Sequence, residues 1–262
     1  MSDSWAWDVS ALLQGEYYVY AVIDDGKNSP VSVYSTGVLH VWDGLLDPGS
    51  SDQRVNKNTA GLSTSDEQQI ACSADRVYIV WTDHRNSNPD IYFNYSADGG
   101  VNFGTVDKRI NQNTAGSSGS RNPQICASGN NVYILWEDRR NGSYYDVYFN
   151  CSADGGITWQ GSDIRLNSST AGGSESNNPR ICCSGSNVYA VWEDYRNSRW
   201  EIYANFSTDG VATWQSSDLR LDTSDTDDSR NPKISCFAAN VFVTWDDLRN
   251  GTYTDIYFNF IK

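Results

Sequence analysis

Three features of this 262-residue chain predict an all-β fold. First, 10 Trp, 16 Tyr and 8 Phe stand against a single Met, a composition that favours strands and turns over helices. Second, short apolar runs are separated by Gly, Asn, Ser and Asp clusters. Third, a ten-residue phrase returns four times: Val77-Tyr-Ile-Val-Trp-Thr-Asp-His-Arg-Asn86, Val132-Tyr-Ile-Leu-Trp-Glu-Asp-Arg-Arg-Asn141, Val188-Tyr-Ala-Val-Trp-Glu-Asp-Tyr-Arg-Asn197 and Val241-Phe-Val-Thr-Trp-Asp-Asp-Leu-Arg-Asn250. Its tryptophans at 81, 136, 192 and 245 are 55, 56 and 53 residues apart. A unit of this length, holding several strands, builds a β-propeller of four-stranded antiparallel blades.

Residues 1–262 are read as one propeller domain, in which 57–262 hold four clear repeats and 1–56 a degenerate one. In that first unit Ala11-Leu-Leu13 is a candidate first strand, and Val19-Tyr-Ala-Val-Ile-Asp-Asp-Gly-Lys-Asn28 echoes the phrase. Arg54-Val55-Asn56 matches Arg109-Ile110-Asn111. Five blades, the favoured count, then use the whole chain. The alternative is four blades preceded by a hairpin, with Arg54-Val55-Asn56 closing the last blade. The stretch Tyr17 to Gly26 also resembles the end of an Ig-like module of large bacterial surface proteins.

The second repeat shows the expected division into strands: Gln124–Ala127, Asn131–Glu137, Asp146–Cys151 and Asp163–Leu166. Its second strand is apolar at nearly every position, so both of its faces are covered. A β-sandwich strand would alternate instead. The fourth repeat stops after its third strand, and an unpaired edge there calls for a strand supplied from elsewhere.

The formal charge is −14, with only 19 Lys and Arg. A nucleic-acid partner needs a basic footprint, which this composition lacks. No apolar run approaches the roughly 20 residues that cross a bilayer, so membrane insertion is not expected, and no signal peptide opens the chain. Four of six cysteines, Cys72, Cys126, Cys183 and Cys236, recur in one apolar segment with Cys182 beside Cys183. They read as free buried thiols packed in inner strands. Zinc is not expected, because close Cys pairs at two-residue separation are missing and only His40 and His84 are present. Asp222-Thr-Ser-Asp-Thr-Asp-Asp228 is oxygen-rich but lacks the Gly and closing Glu of a calcium loop, so no cofactor is expected and calcium is the lesser reading.

After the third strand come Ser96-Ala-Asp-Gly-Gly-Val-Asn-Phe103, Ser152-Ala-Asp-Gly-Gly-Ile-Thr-Trp159 and Ser207-Thr-Asp-Gly-Val-Ala-Thr-Trp214. These resemble Asp boxes, the S-x-D-x-G-x-T-W signature of the sialidase-like propeller superfamily. In the first, Asn-Phe replaces Thr-Trp; in the third, Val211 replaces the second Gly. The chemistry suits a tight turn: Ser96, Asp98, Ser152, Asp154, Ser207 and Asp209 can bond to nearby amides, Gly100 and Gly156 tolerate positive φ, and Trp159 and Trp214 tuck back between strands. The resemblance implies the fold more firmly than an activity, since the superfamily includes sialidases, other glycosidases and non-catalytic binding propellers. It also implies that these turns lie at the end opposite the functional face.

At that other face the loop after the second strand and the blade-to-blade connection should emerge together. The candidate ligand-binding residues are therefore Trp81, Arg85, Trp136, Arg140, Trp192, Arg196, Trp245 and Arg249, with Arg121 and Arg230 from the connections Ser120-Arg-Asn-Pro123 and Ser229-Arg-Asn-Pro232. They have two readings. Each Arg can pair with its own Asp, or with Asp90, Asp146, Glu201 or Asp255, and lock the loop. Alternatively a ring of Trp, Arg and Asp can hold a sugar. No catalytic residue is assigned: Glu137, Glu193 and Asp246 share one repeat position, and no converging arginine triad with a Tyr–Glu pair is found. The expectation is a non-catalytic binding or display propeller of an exported bacterial protein, with a glycan or a protein as ligand. A divergent sialidase-like glycoside hydrolase and a structural module of a larger surface protein are the alternatives.

Overall fold

The structure, a computed structural model, describes residues 15–23, 31–41, 52–211, 213–223 and 227–261, the first two segments as backbone alone. The chain divides into two compact units, Met1–Gln53 and Arg54–Lys262. In the first unit β1 (Gly15–Ile23) pairs antiparallel with β2 (Val31–Val41), and the register shifts between Tyr18 and Tyr20. The expected strand at Ala11-Leu-Leu13 and the end of the Val19–Asn28 echo lie outside the described residues.

The second unit contains four antiparallel sheets in succession. The first is β3 (Ser65–Ser73), β4 (Arg76–Asp83), β5 (Asp90–Ser96) and β6 (Lys108–Arg109). The second comprises β7 (Ser120–Ser128), β8 (Asn131–Asp138), β9 (Asp146–Ser152) and β10 (Ile164–Arg165). The third has β11 (Ser176–Ser184), β12 (Asn187–Asp194), β13 (Glu201–Ser207) and β14 (Leu219–Arg220). The fourth has three described strands, β15 (Ser229–Phe237), β16 (Asn240–Asp247) and β17 (Asp255–Ile261). These are propeller blades, and the fold is all-β.

Burial explains why the second strands lack alternation. Along β8 and β12 every residue after the first is buried, because each sheet is sandwiched between neighbours. Tyr78, Ile91 and Phe93 of the first blade meet Ile134 and Trp136 of the second; Leu135 and Phe149 meet Ala190 and Trp192; Val191 and Ile202 meet Val243 and Trp245. In β16 alternation returns, and Phe242, Ile256, Phe258 and Phe260 of the last blade are exposed. Within the second unit, the described residues cover one face of that blade.

The first strands begin four residues earlier than expected, at Ser120 instead of Gln124, and take in the Arg-Asn-Pro segment assigned above to a connection. A register shift between Arg121 and Gln124 makes this possible. Pro123 cannot donate to the ladder, so the strand bulges there instead of ending.

The cysteines are less uniformly buried than expected. Cys151 is buried, Cys126, Cys182, Cys183 and Cys236 are half-buried, and Cys72 is exposed. The first strand of each blade lies at the edge of its sheet, where solvent reaches part of the segment.

Candidate functional site

Two residues apart on one strand, Trp and Asp of the repeated phrase share a face. The indole Nε1–H groups of Trp81, Trp136, Trp192 and Trp245 donate to Asp83, Asp138, Asp194 and Asp247 at 2.9, 3.0, 3.4 and 3.0 Å. Two residues further, Arg85, Arg140, Arg196 and Arg249 fold back and donate to the same carboxylates at 2.7, 2.7, 2.7 and 2.5 Å. Each guanidinium lies 3.9 to 4.1 Å from the ring centre of Tyr92, Tyr148, Tyr203 or Tyr257.

Three of these arginines reach a second carboxylate just before the fourth strand: Asp107, Asp163 and Asp218 for Arg85, Arg140 and Arg196, at 2.8, 2.8 and 2.6 Å. Asp163 and Asp218 also cap the preceding blades, accepting the backbone N–H of Gln112 and Ser168, and Asp107 accepts that of Lys57, ahead of the first blade. Arg249 instead meets Thr223 Oγ1 at 3.4 Å. The acids opening the third strands, Asp90, Asp146, Glu201 and Asp255, receive the side-chain amides of Asn86, Asn141, Asn197 and Asn250.

The indole faces expected at the mouth are therefore inside the sheets. No tryptophan of the phrase is more than 3% exposed, and none offers a ring to a sugar. The loop-locking alternative describes the Trp–Asp–Arg geometry. Burial pushes the Asp83 carboxyl up, but hydrogen bonds from Arg85, Trp81 and Ser65 outweigh it and lower its pKa to about 2.

Arg121 and Arg230 stand apart, with side chains 42% and 44% exposed. Arg121 donates to Glu137 at 2.7 Å and lies 4.0 Å over Tyr145, whose other neighbour is Arg139 at 4.9 Å. Arg230 donates to Glu193 of the preceding blade at 3.2 Å and lies 4.5 Å over Trp200, which packs on Tyr195 at 5.2 Å. Tyr145 and Trp200 precede the third strands, where the first and fourth blades have Pro89 and Thr254. Their carbonyls accept from Ser176 and Ser229, so the two kinds of loop do meet at one end. Exposed Tyr144, Tyr195 and Tyr253 extend the same loops. Sequence reasoning missed these aromatics, although a ring in a Gly/Ser/Asn loop that varies between repeats was a visible signal.

The carboxylates at the shared acidic position are engaged. Asn122, Asn178 and Asn231 adopt φ of 50°, 49° and 54° at the bulge, and their backbone N–H groups turn away from their own ladders. Glu67, Glu137 and Glu193 of the preceding blades accept them at 2.7, 2.9 and 2.9 Å. Glu137 also accepts Arg121 and Asn122, Glu193 accepts Asn178 and Arg230, and Asp246 accepts Asn231. This is an inter-blade clasp.

In the oxygen-rich loop, Asp222 accepts the Ile202 N–H at 3.0 Å, as Asn111 and Asn167 do for Ile91 and Val147. Among the described residues no group of three or more His, Cys, Asp or Glu is placed to hold a metal.

The Ser-x-Asp turns follow the third strands in three blades. Ser96, Ser152 and Ser207 donate to Asp98, Asp154 and Asp209 at 2.6, 2.7 and 2.7 Å. Their hydroxyls accept the N–H of Gly100, Gly156 and Val211. Trp159 and Trp214 pack edge-on against Phe93 and Phe149 of the preceding blades, 5.0 Å between centres in each case. Two shallow cavities have volumes of about 280 Å³, beside Ile79 and Trp81, and about 270 Å³, beside Ala204, Phe206 and Gln215.

Among solved structures the chain is similar to the sialidase of Trypanosoma rangeli, at 14% identity and a TM-score of 0.54, covering 75% of this chain and 36% of that one. It is also similar to the family GH93 α-L-arabinofuranosidase of Fusarium graminearum, at 15% identity and a TM-score of 0.52, covering 79% and 65%. This chain thus spans about a third to two thirds of the length of those proteins. No protein-family model and no curated protein matches it. At such identity the likeness shows the fold alone, a β-propeller.

Proposed function

We propose that this chain is a non-catalytic, carbohydrate-binding propeller of an exported bacterial protein, whose ligand rests on the half-exposed side chains of Arg121 and Arg230 and on half-buried Trp200. The carrying observation is the break in symmetry. Where the repeat is regular its polar groups bond to one another, whereas here the Arg121 and Arg230 guanidinium groups and the Trp200 ring are partly open to solvent, with Tyr145 buried beneath Arg121. Stacked aromatics take up the apolar face of a sugar, and the free N–H edges donate to its hydroxyls. The Ser-x-Asp turns serve as Asp boxes on this reading, bracing the opposite end of each blade.

The engagement of Glu137 and Glu193 in the clasp supports binding over hydrolysis, since an acid and nucleophile must be free to reach substrate. Glycan-array binding and hydrolysis of fluorogenic glycosides, run on the same protein, test the proposal. The expected result is glycan binding weakened about tenfold by Trp200→Ala and by Arg230→Ala, without turnover. Turnover abolished by Glu193→Gln in a folded protein would establish the hydrolase instead, and binding confined to a protein ligand would exclude the glycan.

A further inference from the structure

Four cysteines on the innermost strands fall in matched pairs across two blade interfaces. Six and seven residues after the serine that opens β3, β7, β11 and β15 stand Ala71 and Cys72, Cys126 and Ala127, Cys182 and Cys183, Ser235 and Cys236. Successive residues of a strand point to opposite faces. Each strand therefore presents its sixth position to the following blade and its seventh to the preceding one. Cys126 and Cys183 accordingly pack in the cluster between the second and third blades, and Cys182 and Cys236 in the cluster between the third and fourth. Each thiol shifts the titration of its counterpart, Cys126 with Cys183 and Cys182 with Cys236, as neighbours in one cluster do.

The first interface supplies an internal control. There the sixth position is Ala71 and the seventh, on the next blade, is Ala127, which packs in the cluster between those blades. Alanine is matched with alanine and cysteine with cysteine. A cysteine serving only as a small apolar filler would need no such matching.

We infer that Cys126–Cys183 and Cys182–Cys236 are two inter-blade disulfide sites, joining three successive innermost strands covalently under oxidising conditions. Each bond forms by thiol–disulfide exchange with an oxidised dithiol partner. One thiolate attacks the partner's disulfide and releases one of its sulfurs as a thiol. The second cysteine, as thiolate, displaces the other, so the Sγ–Sγ bond forms while two electrons and two protons pass to the partner. Cys236 is suited to the first attack: the hydrogen bond from Cys182 lowers its thiol, and it is half-buried rather than sealed. Burial and the neighbouring thiol of Cys183 push Cys126 well above the ordinary range, so its thiolate is scarce and the Cys126–Cys183 bond should form more slowly than Cys182–Cys236. Cys72 is exposed and Cys151 lies in the core, and both fall outside the two pairs.

The test equilibrates the full chain in oxidised dithiothreitol or in oxidised glutathione, alkylates the remaining thiols and maps linked peptides. After denaturation, Cys151 is expected alkylated and Cys72 alkylated or, in glutathione, capped by it, with neither in a linked peptide. Because Cys182 and Cys183 are adjacent, the bonds are assigned in paired variants: C126A/C183A should retain only the Cys182–Cys236 link, and C182A/C236A only Cys126–Cys183. Both substitutions reproduce the Ala71/Ala127 pairing already present in the first interface, so the fold is kept. The wild-type Tm should rise on oxidation by on the order of 5–10 °C, and the variant lacking all four cysteines should be insensitive to redox. Alkylation of all six cysteines in the folded, oxidised chain overturns the inference. So does a vicinal Cys182–Cys183 bond or a link to Cys151.

Discussion

The backbone amide of Asn178, held at a left-handed φ of 49°, donates to Glu137 of the preceding blade at 2.9 Å. The same bond joins Asn231 to Glu193 and Asn122 to Glu67. A strand that bulges around proline loses a ladder partner, and a neighbouring carboxylate restores it. Glu193 is fully buried and accepts from Asn178, Arg230 and Asn231. Its truncation by Glu193→Ala strands three donors and is expected to cost about 3–5 kcal/mol in urea unfolding. Glu193→Gln, which keeps an acceptor oxygen, should cost less.

The arginine brackets differ in one countable respect. Arg196 bridges Asp194 and Asp218, whereas Arg249 holds Asp247 and touches Thr223 at 3.4 Å. Arg196→Ala should therefore destabilise more than Arg249→Ala, by about 2–4 against about 1–2 kcal/mol in chemical unfolding. Arg196→Lys should recover only part of the loss, because an ammonium lacks the planar fork that spans two carboxylates.

Gly156 and Val211 occupy the same turn position at φ of 84° and 68°. A Cβ on Gly156 would meet Phe93 at 2.6 Å, and both the clash and the backbone penalise Gly156→Val, by about 3 kcal/mol or more. Val211 is buried in the cluster between the second and third blades. Removing it relieves about 1 kcal/mol of backbone strain but exposes about 1.5–3 kcal/mol of apolar burial. Val211→Gly should then be mildly destabilising, a difference that thermal melts resolve.

Stability should fall at both extremes of pH. Asp83 is lowered to about 2 because hydrogen bonds from Arg85, Trp81 and Ser65 exceed the opposing effect of burial. A depressed carboxyl stabilises the fold above its unfolded value near 3.8, and the contribution is lost as pH falls through about 2. Burial raises Tyr203 to about 12, with a hydrogen bond to Glu201 adding to it. A raised phenol contributes fully below its unfolded value near 10 and loses the contribution as pH rises through about 12. Circular dichroism across pH 1–12 should show an acid transition below about 4 and a basic one above about 10. Arg85→Ala should move the acid transition upward.

Much of the fold was legible because a repeat reports its own period. The Trp spacing, the unbroken apolar second strands and the Ser-x-Asp turns each point to blades, and the sheets confirm all three placements. The start of the first strands was not legible, since Arg121-Asn122-Pro123 reads as a connection until Glu67 is seen accepting the Asn122 amide. The candidate site was half legible. Arg121 and Arg230 stand in first strands and not in connections, though partly exposed, and the repeated tryptophans are buried. A motif names residue types, whereas exposure depends on the neighbouring blade.

By itself the sequence determined what depends on local order: an all-β chain, the length of each repeat, the turns between its strands, and an Asp two residues before each Arg, within reach of it. These follow from periodicity and turn chemistry within about ten residues. Only the tertiary structure decided which partners meet across blades: Asn178 with Glu137, Arg230 with Trp200, Cys182 with Cys236. Such contacts join positions roughly 30 to 55 residues apart, and they depend on how one twisted sheet is staggered on the next, a geometry no single repeat encodes.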